Sequence, residues 1–445
     1  MTDPVLLKYA ARNTPRYTSY PTAPHFHAGV NGETYARWLG ELTPEQRGSL
    51  YFHLPYCRVL CWYCGCHTRA SLKDGPIERY LDRLEMEIDT TAALVPHRLK
   101  VDHLHWGGGS PTLVPASRMR RIMALVRDRF DIQPGAEIAI EVDPRTLDDE
   151  RAAALGETGF NRASIGVQTF DPDVQRAINR IQSFEVTKAC ADRLRGNGVN
   201  AINVDLVYGL PKQSLESCLD TVDRVLELAP DRLSVFGYAH VPHMKKHMRL
   251  IDTGDLPGTE ARIAQAQAIA DRLVAAGYVA IGFDHYARPE DPLAERQRTG
   301  HLHRNFQGYT TDAADALIGF GASAIGRLPQ GHIQNTADIA AWEKAVLANE
   351  LPVARGCAYE GDDLFRSDII ERLMCDLEAD LGTLAREHGQ PVANPDLSEL
   401  EADGIVRRDG DLVMINPEYR TLARIVAAAF DTRLMAGNAK HSVSV

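Results

Sequence analysis

Short apolar runs alternate with longer segments of helical periodicity from Leu50 to about Ile325, and this alternation restricts the fold more than any other feature. Repeated β–α alternation predicts a parallel sheet covered by helices. A closed or partly closed barrel and an open doubly wound sheet fit the pattern equally well. The predicted strands are residues 50–54, 101–106, 137–142, 162–167, 202–208 and 233–238, and the predicted helices are residues 77–93, 117–130, 214–228 and 259–276.

Glycines and side chains suited to chemistry follow the ends of these predicted strands. The carboxyl ends of successive parallel strands carry the active sites of α/β barrels and related sheets. We therefore expect one rim of the sheet to assemble the site. In strand order, the residues at the ends are Cys57 and those after it, Gly107 to Pro111, Glu141 with Asp143, Gln168, Asp205, and Ala239.

Four of the eight cysteines lie close together after the first strand, at Cys57, Cys61, Cys64 and Cys66. Structural zinc usually uses two separated ligand pairs; Cys66 and His67 could add a fourth ligand, but no second pair follows. A disulfide framework needs an oxidising compartment. An iron–sulfur cluster is the third possibility, because one short loop of thiolates can ligate several irons. Three thiolates at Cys-x3-Cys-x2-Cys suit a four-iron cluster with one iron open for chemistry.

Composition excludes several classes of protein. A chain of 445 residues has room for two or three domains, and its net charge of −11 argues against a general nucleic-acid binder. The first 20 residues lack the apolar core of a signal peptide, and no apolar run approaches the roughly 18–20 residues that cross a bilayer. We expect a cytoplasmic protein with reduced thiols.

The spacing of the three cysteines, with Tyr63 just before the third, resembles the cluster loop of radical S-adenosylmethionine (SAM) enzymes. Several wider runs are similar to one branch of them, the oxygen-independent coproporphyrinogen III oxidases, also called coproporphyrinogen dehydrogenases. The likeness extends from Arg16 to about Arg327 and loosens afterwards. The matching runs are residues 16–24, the cluster loop with Tyr51, His53 and Pro55, and residues 283–289, 302–311 and 319–325.

This resemblance implies a partial (β/α)6 radical SAM barrel over residues 49–335, preceded by an N-terminal arm over residues 1–48 and followed by a small, mostly helical domain over residues 336–445. It implies oxidative decarboxylation of two propionates of coproporphyrinogen III to vinyl groups, driven by a 5′-deoxyadenosyl radical, in heme biosynthesis. The implied cofactors are a [4Fe-4S] cluster and two SAM molecules. The implied partners are the substrate and an electron donor such as flavodoxin or ferredoxin, with the enzyme acting as a monomer.

The resemblance also implies roles for individual residues. Cys57, Cys61 and Cys64 would ligate the cluster, and Cys66 would stay outside the ligand set. Ser110 stands where the family usually has threonine, and Ile181 where it often has glutamate. The implied SAM-binding residues are Tyr51, Tyr63, Gly108, Gly109, Ser110, Glu141, Gln168, Arg180, Asp205, Ala239 and Ile325. The candidates for the substrate side are Arg16, Tyr20, Arg304 and Arg327.

Beyond about residue 335 the glycine-rich motifs stop. Residues 363–375, 396–402 and 420–430 have helical character, and residues 405–408 and 412–415 form a predicted strand pair that turns at Asp409 and Gly410. This pattern could mimic a winged-helix DNA reader, but no basic helix supports that reading. We interpret the segment as a lid domain. Three other functions stay open: another radical SAM tetrapyrrole enzyme, a heme-binding chaperone, and a zinc-stabilised binding protein.

Overall fold

The computed structural model of this chain describes residues 3–434. The strands of this part are β1 (Arg47–Leu54), β2 (Tyr56–Cys57), β3 (Arg69–Ala70), β4 (Lys100–Gly108), β5 (Asp131–Val142), β6 (Arg162–Gln168), β7 (Ala201–Tyr208), β8 (Arg232–Gly237), β9 (Val279–Ile281), β10 (His285–Ala287), β11 (His303–Asn305), β12 (Gly308–Thr310), β13 (Ala316–Phe320), β14 (Ile325–Leu328), β15 (Gly331–Asn335), β16 (Val353–Ala358), β17 (Glu378–Asp380), β18 (Val406–Asp409) and β19 (Leu412–Ile415).

Helices cover the sheet and build the two ends of the chain. They are α1 (Pro4–Ala10), α2 (Gly32–Gly40), α3 (Gly75–Ala92), α4 (Ala116–Arg129), α5 (Asp149–Glu157), α6 (Pro172–Ala177), α7 (Phe184–Gly196), α8 (Leu215–Glu227), α9 (Thr259–Ala275), α10 (Pro292–Arg298), α11 (Ile339–Leu347), α12 (Asp363–Cys375), α13 (Leu381–His388), α14 (Ser398–Ala402) and α15 (Ala423–Ala428). No helix within residues 3–434 is long and apolar enough to cross a membrane.

A 12-stranded sheet organises the molecule, in the order β16-β15-β14-β13-β1-β4-β5-β6-β7-β8-β10-β9. The strands from β13 to β8 in this order are parallel, and the strands beyond them on both sides are antiparallel. Because β16 and β9 end the sheet, the parallel part forms a partial barrel, which confirms the predicted fold class. The six predicted strands correspond to β1 and β4–β8.

One parallel strand was not predicted. In β13, which pairs with β1 from Ala316 opposite Gly48 to Phe320 opposite Phe52, all five residues are buried. The Phe52 and Phe320 rings stack with centroids 4.9 Å apart. Helices α5, α6 and α7 were also not predicted, whereas α3, α4, α8 and α9 agree with prediction to within one or two residues at each end.

Local sequence signals explain where the covering helices begin. The side chain of Ser214 accepts a hydrogen bond from the Ser217 backbone N–H, and the Ser217 hydroxyl accepts one from the Ser214 N–H, so a capping box starts α8. In α3 the buried residues Ile77, Leu81, Leu84 and Ile88 recur at helical spacing and face the sheet. These helices cover one face of the barrel and leave its carboxyl rim open for the site.

The C-terminal segment combines helices with a small sheet. The bounds predicted for α12 are confirmed, and the predicted strand pair is present as β18 and β19. A third strand, β17, pairs with β19 on its other side. The helix predicted over residues 396–402 begins at Ser398, and the one predicted over residues 420–430 is a 3-10 helix, Pro417–Leu422, followed by α15. Residues 435–445 of the predicted third domain lie outside the described residues.

The N-terminal arm packs on these C-terminal elements. Tyr9, Tyr17 and Tyr20 are buried in one apolar cluster with Phe365 and Phe430. The Tyr17 hydroxyl donates a hydrogen bond of 3.0 Å to Asp431 Oδ2. The arm therefore has a fixed path beside the open rim of the barrel. The domain limits at residues 48 and 335 stay a prediction.

Candidate active site

A cavity of about 1020 Å³ opens at the carboxyl rim of the parallel strands. Small-molecule sites occupy roughly 300–1,000 Å³, so this space is large enough for a cofactor together with a substrate. It unites most of the residues that the sequence analysis assigns to the site. The predicted residues that line it are Cys57, Cys61, Tyr63, Cys64, Gly108, Gly109, Ser110, Glu141, Gln168, Arg180, Asp205 and Ala239.

Two predicted SAM-binding residues lie behind the cavity wall. Tyr51 is in β1, with its hydroxyl 2.9 Å from His53 Nδ1 and its ring stacked on His105. Ile325 begins β14, and its carbonyl oxygen would lie 2.7 Å from a Cβ on Gly319. Gly319 in turn pairs with Tyr51. Both residues therefore adjoin Gly319 and are absent from the cavity lining, and their contact with a cofactor stays a prediction.

The cysteine loop is anchored from the outside by the segment that follows α6. The Trp62 N–H donates to the Ile178 carbonyl at 2.9 Å, and the Asn179 amide donates to the Leu60 carbonyl at 3.0 Å. The rings of Trp62 and Tyr63 pack against a small apolar cluster that includes Ile178. A loop held by both hydrogen bonds and ring packing presents its thiols in one fixed arrangement.

The thiols differ in their protonation. Burial raises the pKa of Cys57, against the effect of hydrogen bonds with Thr68 and Ser110. Hydrogen bonding to Cys66 lowers the pKa of Cys64 to about 7, and the same contact raises the pKa of Cys66. Of this pair, Cys64 is the thiol that ionises first. The thiolate is the form that ligates iron.

The surroundings of the cysteine loop suit an iron–sulfur cluster better than a single metal ion. Arg180 Nη1 lies 3.6 Å and Arg145 Nη2 lies 3.9 Å from Cys61 Sγ, so this sulfur faces two positive charges. Within residues 3–434 no three Cys, His, Asp or Glu side chains surround a single-ion site. A four-iron cluster distributes its ligands over separate irons, so it needs thiolates around a shared space rather than around one point. Cys57, Cys61 and Cys64 share the cavity and fit that requirement.

The glycine run at the end of β4 leaves no space for side chains. A Cβ on Gly109 would lie 2.5 Å from the Tyr56 carbonyl oxygen and 2.8 Å from Thr68 Oγ1. Gly108 has φ +114° and would place a Cβ 2.6 Å from the His53 ring. Only glycine allows the backbone to approach a ligand at this point. The run therefore fits a cofactor that binds against the main chain.

Glu141 lies directly opposite this run. Its Oε2 accepts a hydrogen bond of 3.0 Å from the Gly108 N–H, and its Oε1 is 3.5 Å from His105 Nε2. Burial acts to raise the pKa of Glu141, but the contacts with His105 and Gly108 outweigh it and leave the pKa below its usual value. The carboxylate is thus ionised and available to accept hydrogen bonds from a polar ligand.

Strands β6 and β7 and the segment after α6 supply a second group of polar residues. Arg180 donates to the Gly166 carbonyl at 2.6 Å, in addition to its contact with the cysteine loop. Asp205 accepts a hydrogen bond of 3.0 Å from Ser164, and burial raises its pKa to about 6. Gln168 has φ +69°, an unusual conformation for a residue other than glycine, which turns the chain at the end of β6.

The predicted substrate-side residues separate in the structure. Arg16 lines the cavity from the N-terminal arm. Arg304 is buried between the rings of Phe283 and Tyr309, at 4.9 and 4.5 Å from their centroids. Arg327 is exposed and donates a hydrogen bond to the Ala314 carbonyl. Neither Arg304 nor Arg327 is part of the cavity surface, and Tyr20 is buried in the arm cluster.

Sequence reasoning missed several residues that shape the site. Arg145 contacts Cys61, and its ion pair with Asp143 at 2.7 Å holds it there. From the segment after β8, Lys245 donates to the Cys66 carbonyl at 2.9 Å, and His247 Nε2 lies 2.8 Å from the Cys64 carbonyl. Arg145 follows Glu141 in the Glu-Val-Asp-Pro-Arg run, so its position was a usable signal. No sequence signal marked Lys245 or His247.

Comparisons with known proteins agree with this geometry. Residues 51–225 match the Radical SAM superfamily. The chain is 52% identical over 447 residues to the oxygen-independent coproporphyrinogen III oxidase of Bradyrhizobium diazoefficiens, with 99% of each chain covered. The protein of the same name from Paracoccus denitrificans is 41% identical over 443 residues, with 97% of this chain and 96% of the relative covered. The solved structure of coproporphyrinogen III oxidase from Escherichia coli, a radical SAM enzyme, superimposes with a TM-score of 0.91 at 38% identity, covering 97% of this chain and 99% of that one.

Proposed function

The chain belongs to the oxygen-independent coproporphyrinogen III oxidases of the radical SAM superfamily, and from this membership we propose how its cavity carries out the reaction. The enzyme oxidatively decarboxylates two propionates of coproporphyrinogen III to vinyl groups, which gives protoporphyrinogen IX in heme biosynthesis. For each propionate, one hydrogen atom leaves the β-carbon, and CO2 and one further electron then leave. The observation that carries this proposal is the single cavity that joins the cysteine loop to the glycine run.

Cys57, Cys61 and Cys64 would hold the [4Fe-4S] cluster. When bound, the cluster and SAM supply the electron and the 5′-deoxyadenosyl radical that removes the β-hydrogen. Arg145 and Arg180 place two guanidinium groups beside the Cys61 sulfur. Cys66 would stay outside the ligand set, as the resemblance to the family's cysteine spacing implies.

The residues along the rim would orient SAM. The backbone of Gly108 and Gly109 receives the methionine end, with the buried hydroxyl of Ser110 beside it. The ionised carboxylate of Glu141 accepts hydrogen bonds from the ribose hydroxyls. Tyr51, Tyr63 and Ile325 complete this first site. A second SAM would contact Gln168, Arg180, Asp205 and Ala239, which line the cavity at the ends of the later strands.

The N-terminal arm and the C-terminal segment would cover the substrate. Arg16 reaches the cavity surface from an arm whose tyrosines are buried against the C-terminal elements. A covered cavity keeps water and oxygen away from reactive intermediates. We place the enzyme in the cytoplasm, as a monomer that receives its electron from a carrier such as flavodoxin or ferredoxin. The two SAM molecules are checked by equilibrium dialysis, which should give two per chain.

The decisive experiment is an anaerobic turnover assay. The protein is reconstituted with iron and sulfide and incubated with dithionite, SAM and coproporphyrinogen III, and products are separated by chromatography. We expect protoporphyrinogen IX, CO2 and 5′-deoxyadenosine. SAM cleavage without decarboxylation would point to a different radical substrate. A cluster-bearing protein that binds heme without turnover would instead be a chaperone.

A further inference from the structure

One histidine on the cavity wall has no role in binding the cluster or SAM. His285, at the start of β10, lines the cavity, yet only 8% of its side chain is exposed. Its Nδ1 lies 2.6 Å from Asp284 Oδ1. Its Nε2 makes no hydrogen bond within residues 3–434. Because His285 lines the cavity, this nitrogen is open to a polar group of a bound ligand.

The packing around His285 fixes the direction of this nitrogen. The ring meets Tyr309 and Phe236 edge to face, with centroids 5.1 and 5.7 Å away. A Cβ on Gly308 would lie 2.9 Å from Nε2, so the absence of a side chain at this position leaves the nitrogen accessible. Because Asp284 binds the other nitrogen, the imidazole cannot rotate without losing that contact.

The charges behind the wall are predominantly positive. Arg304 has a side chain only 5% exposed, and its Nε and Nη1 have no hydrogen-bond partner. Its ion-pair contact within residues 3–434 is with Asp284, at 4.0 Å. Asp284 thus serves both Arg304 and His285, while Arg16 adds a further positive charge at the cavity surface. A buried cation that is only partly compensated favours a site for an additional anion.

The C-terminal segment adds to this positive field. The guanidinium of Arg424 lies over Phe283, 5.6 Å from the ring centroid. Burial, and then the neighbouring charge of Arg16, lower the pKa of Arg424 to about 10. Cations crowd together on this side of the cavity, and the coproporphyrinogen substrate brings four carboxylates to it.

Because Asp284 accepts from Nδ1–H, Nε2 can donate to a carboxylate only when the ring carries a second proton. We propose that His285 in this imidazolium form and Arg16 bind a propionate that the reaction retains, with Arg304 supplying positive charge from behind the wall. This inference rests on the proposed function, because it concerns the same cavity and substrate. The cysteine loop follows β1, whereas His285 belongs to β10, and five parallel strands separate β1 from β10 in the sheet. A macrocycle with one edge at the cysteine loop would therefore present its opposite edge, which carries the retained propionates, to this wall.

The test compares porphyrins that differ in their carboxylates. Coproporphyrin III carries both the reacting and the retained propionates, whereas protoporphyrin IX carries only the retained ones. Dissociation constants are measured by fluorescence on the reconstituted protein for the wild type and for His285→Asn and Arg304→Met. The matched control is His388→Asn, since His388 forms another His–Asp pair, 2.7 Å from Asp368, and does not line the cavity.

We expect His285→Asn to weaken both porphyrins by about tenfold, the effect of one charge-assisted hydrogen bond. Arg304→Met should also weaken the binding of both porphyrins. Coproporphyrin III tetramethyl ester, which has no free carboxylates, should bind all variants alike. The control His388→Asn should match the wild type. In turnover, His285→Asn should raise KM more than it lowers kcat.

Other patterns would overturn the inference. If only coproporphyrin III binds more weakly, the wall holds a reacting propionate. If SAM binds more weakly while the porphyrins do not, the ligand is the SAM carboxylate. If neither His285→Asn nor Arg304→Met changes porphyrin affinity, the subsite does not exist. Because these measurements need no turnover, a protein that binds porphyrins as expected but does not decarboxylate would refute the proposed function alone.

Discussion

Replacing Gly109 by alanine tests whether the glycine run must approach its ligand through bare backbone. The added Cβ would lie 2.5 Å from the Tyr56 carbonyl oxygen and 2.8 Å from Thr68 Oγ1. The first neighbour is backbone that accepts a 2.7 Å hydrogen bond from the Ser110 N–H, so it cannot swing aside as a side chain could. The Gly109 N–H is itself bound to the Leu54 carbonyl at 2.8 Å. The strand end must therefore shift away from the cysteine loop.

The expected cost follows from this collision. Overpacking of this kind costs about 1–3 kcal/mol. If the collision is avoided only when the Gly108–Gly109 backbone moves away from the SAM position, SAM affinity falls by a factor of roughly 5 to 150, since 1.4 kcal/mol corresponds to about tenfold. The dissociation constant of SAM is measured by equilibrium dialysis on the reconstituted protein. Iron content is measured in parallel, so that loss of the cluster is distinguished from loss of SAM binding at the glycine run.

The same loop provides a matched control. A Cβ on Gly65, between Cys64 and Cys66, would have no heavy atom within 4 Å, and Gly65 is not among the residues with positive φ. Gly65→Ala should therefore bind SAM and iron as the wild type does. Wild-type SAM affinity in Gly109→Ala would refute the steric argument. An equal loss in Gly65→Ala would show that the loop tolerates no change, whatever the available space.

Three further predictions concern the charged and thiol groups. Cys57→Ser should lose the cluster and Cys66→Ser should keep it, and an iron count that showed loss in the second variant would contradict this ligand set. The pKa of Asp205 rises from 3.8 to about 6 on folding, so the folded state holds the proton more tightly and stability falls as pH rises through that window. Asp205→Asn should thus stabilise the cofactor-free protein by up to about 3 kcal/mol at pH 7.5 and by about half as much at pH 5, as followed by thermal unfolding; a gain that does not change with pH would refute the assignment. Arg180→Lys should weaken SAM binding by roughly tenfold, because an ammonium cannot reach both the Cys61 thiol and the β6 carbonyl, and an unchanged affinity would show that one contact suffices.

The predicted strands were those whose sequence ends in a motif. Each of the six predicted strands has a local boundary that marks it. The first is followed by the cysteine loop, the second by the glycine run, and the others by polar residues. The run that forms β13, Ala-Leu-Ile-Gly-Phe, continues into Gly-Ala-Ser-Ala-Ile without such a break. Its partner β1 lies more than 260 residues earlier in the chain. Nothing local reveals that pairing, so the seventh parallel strand became visible only in three dimensions.

The residues assigned to SAM and the cluster follow the same logic. Glu141 and Gln168 lie at the ends of β5 and β6, and Asp205 lies in the second half of β7. Parallel topology alone brings these parts of the strands to one rim. Their grouping in one cavity could therefore be predicted once the strands were identified. His247 could not, because it reaches the cysteine loop from a segment after β8 that has no regular period.

The substrate side of the cavity depends on contacts that no strand end encodes. Arg304 and Arg327 are chemically identical and both come after β8 in the chain, so the sequence favours them equally. Folding buries Arg304 between Phe283 and Tyr309, because the β11–β12 hairpin packs against α12, and it leaves Arg327 exposed beside the Ala314 carbonyl. The positive charge beside His285 thus depends on three parts of the chain that meet there: the N-terminal arm, the β11–β12 hairpin and the C-terminal segment. A chain could keep every cofactor motif and still lose its substrate if that meeting shifted, so porphyrin affinity reports on packing that SAM affinity does not.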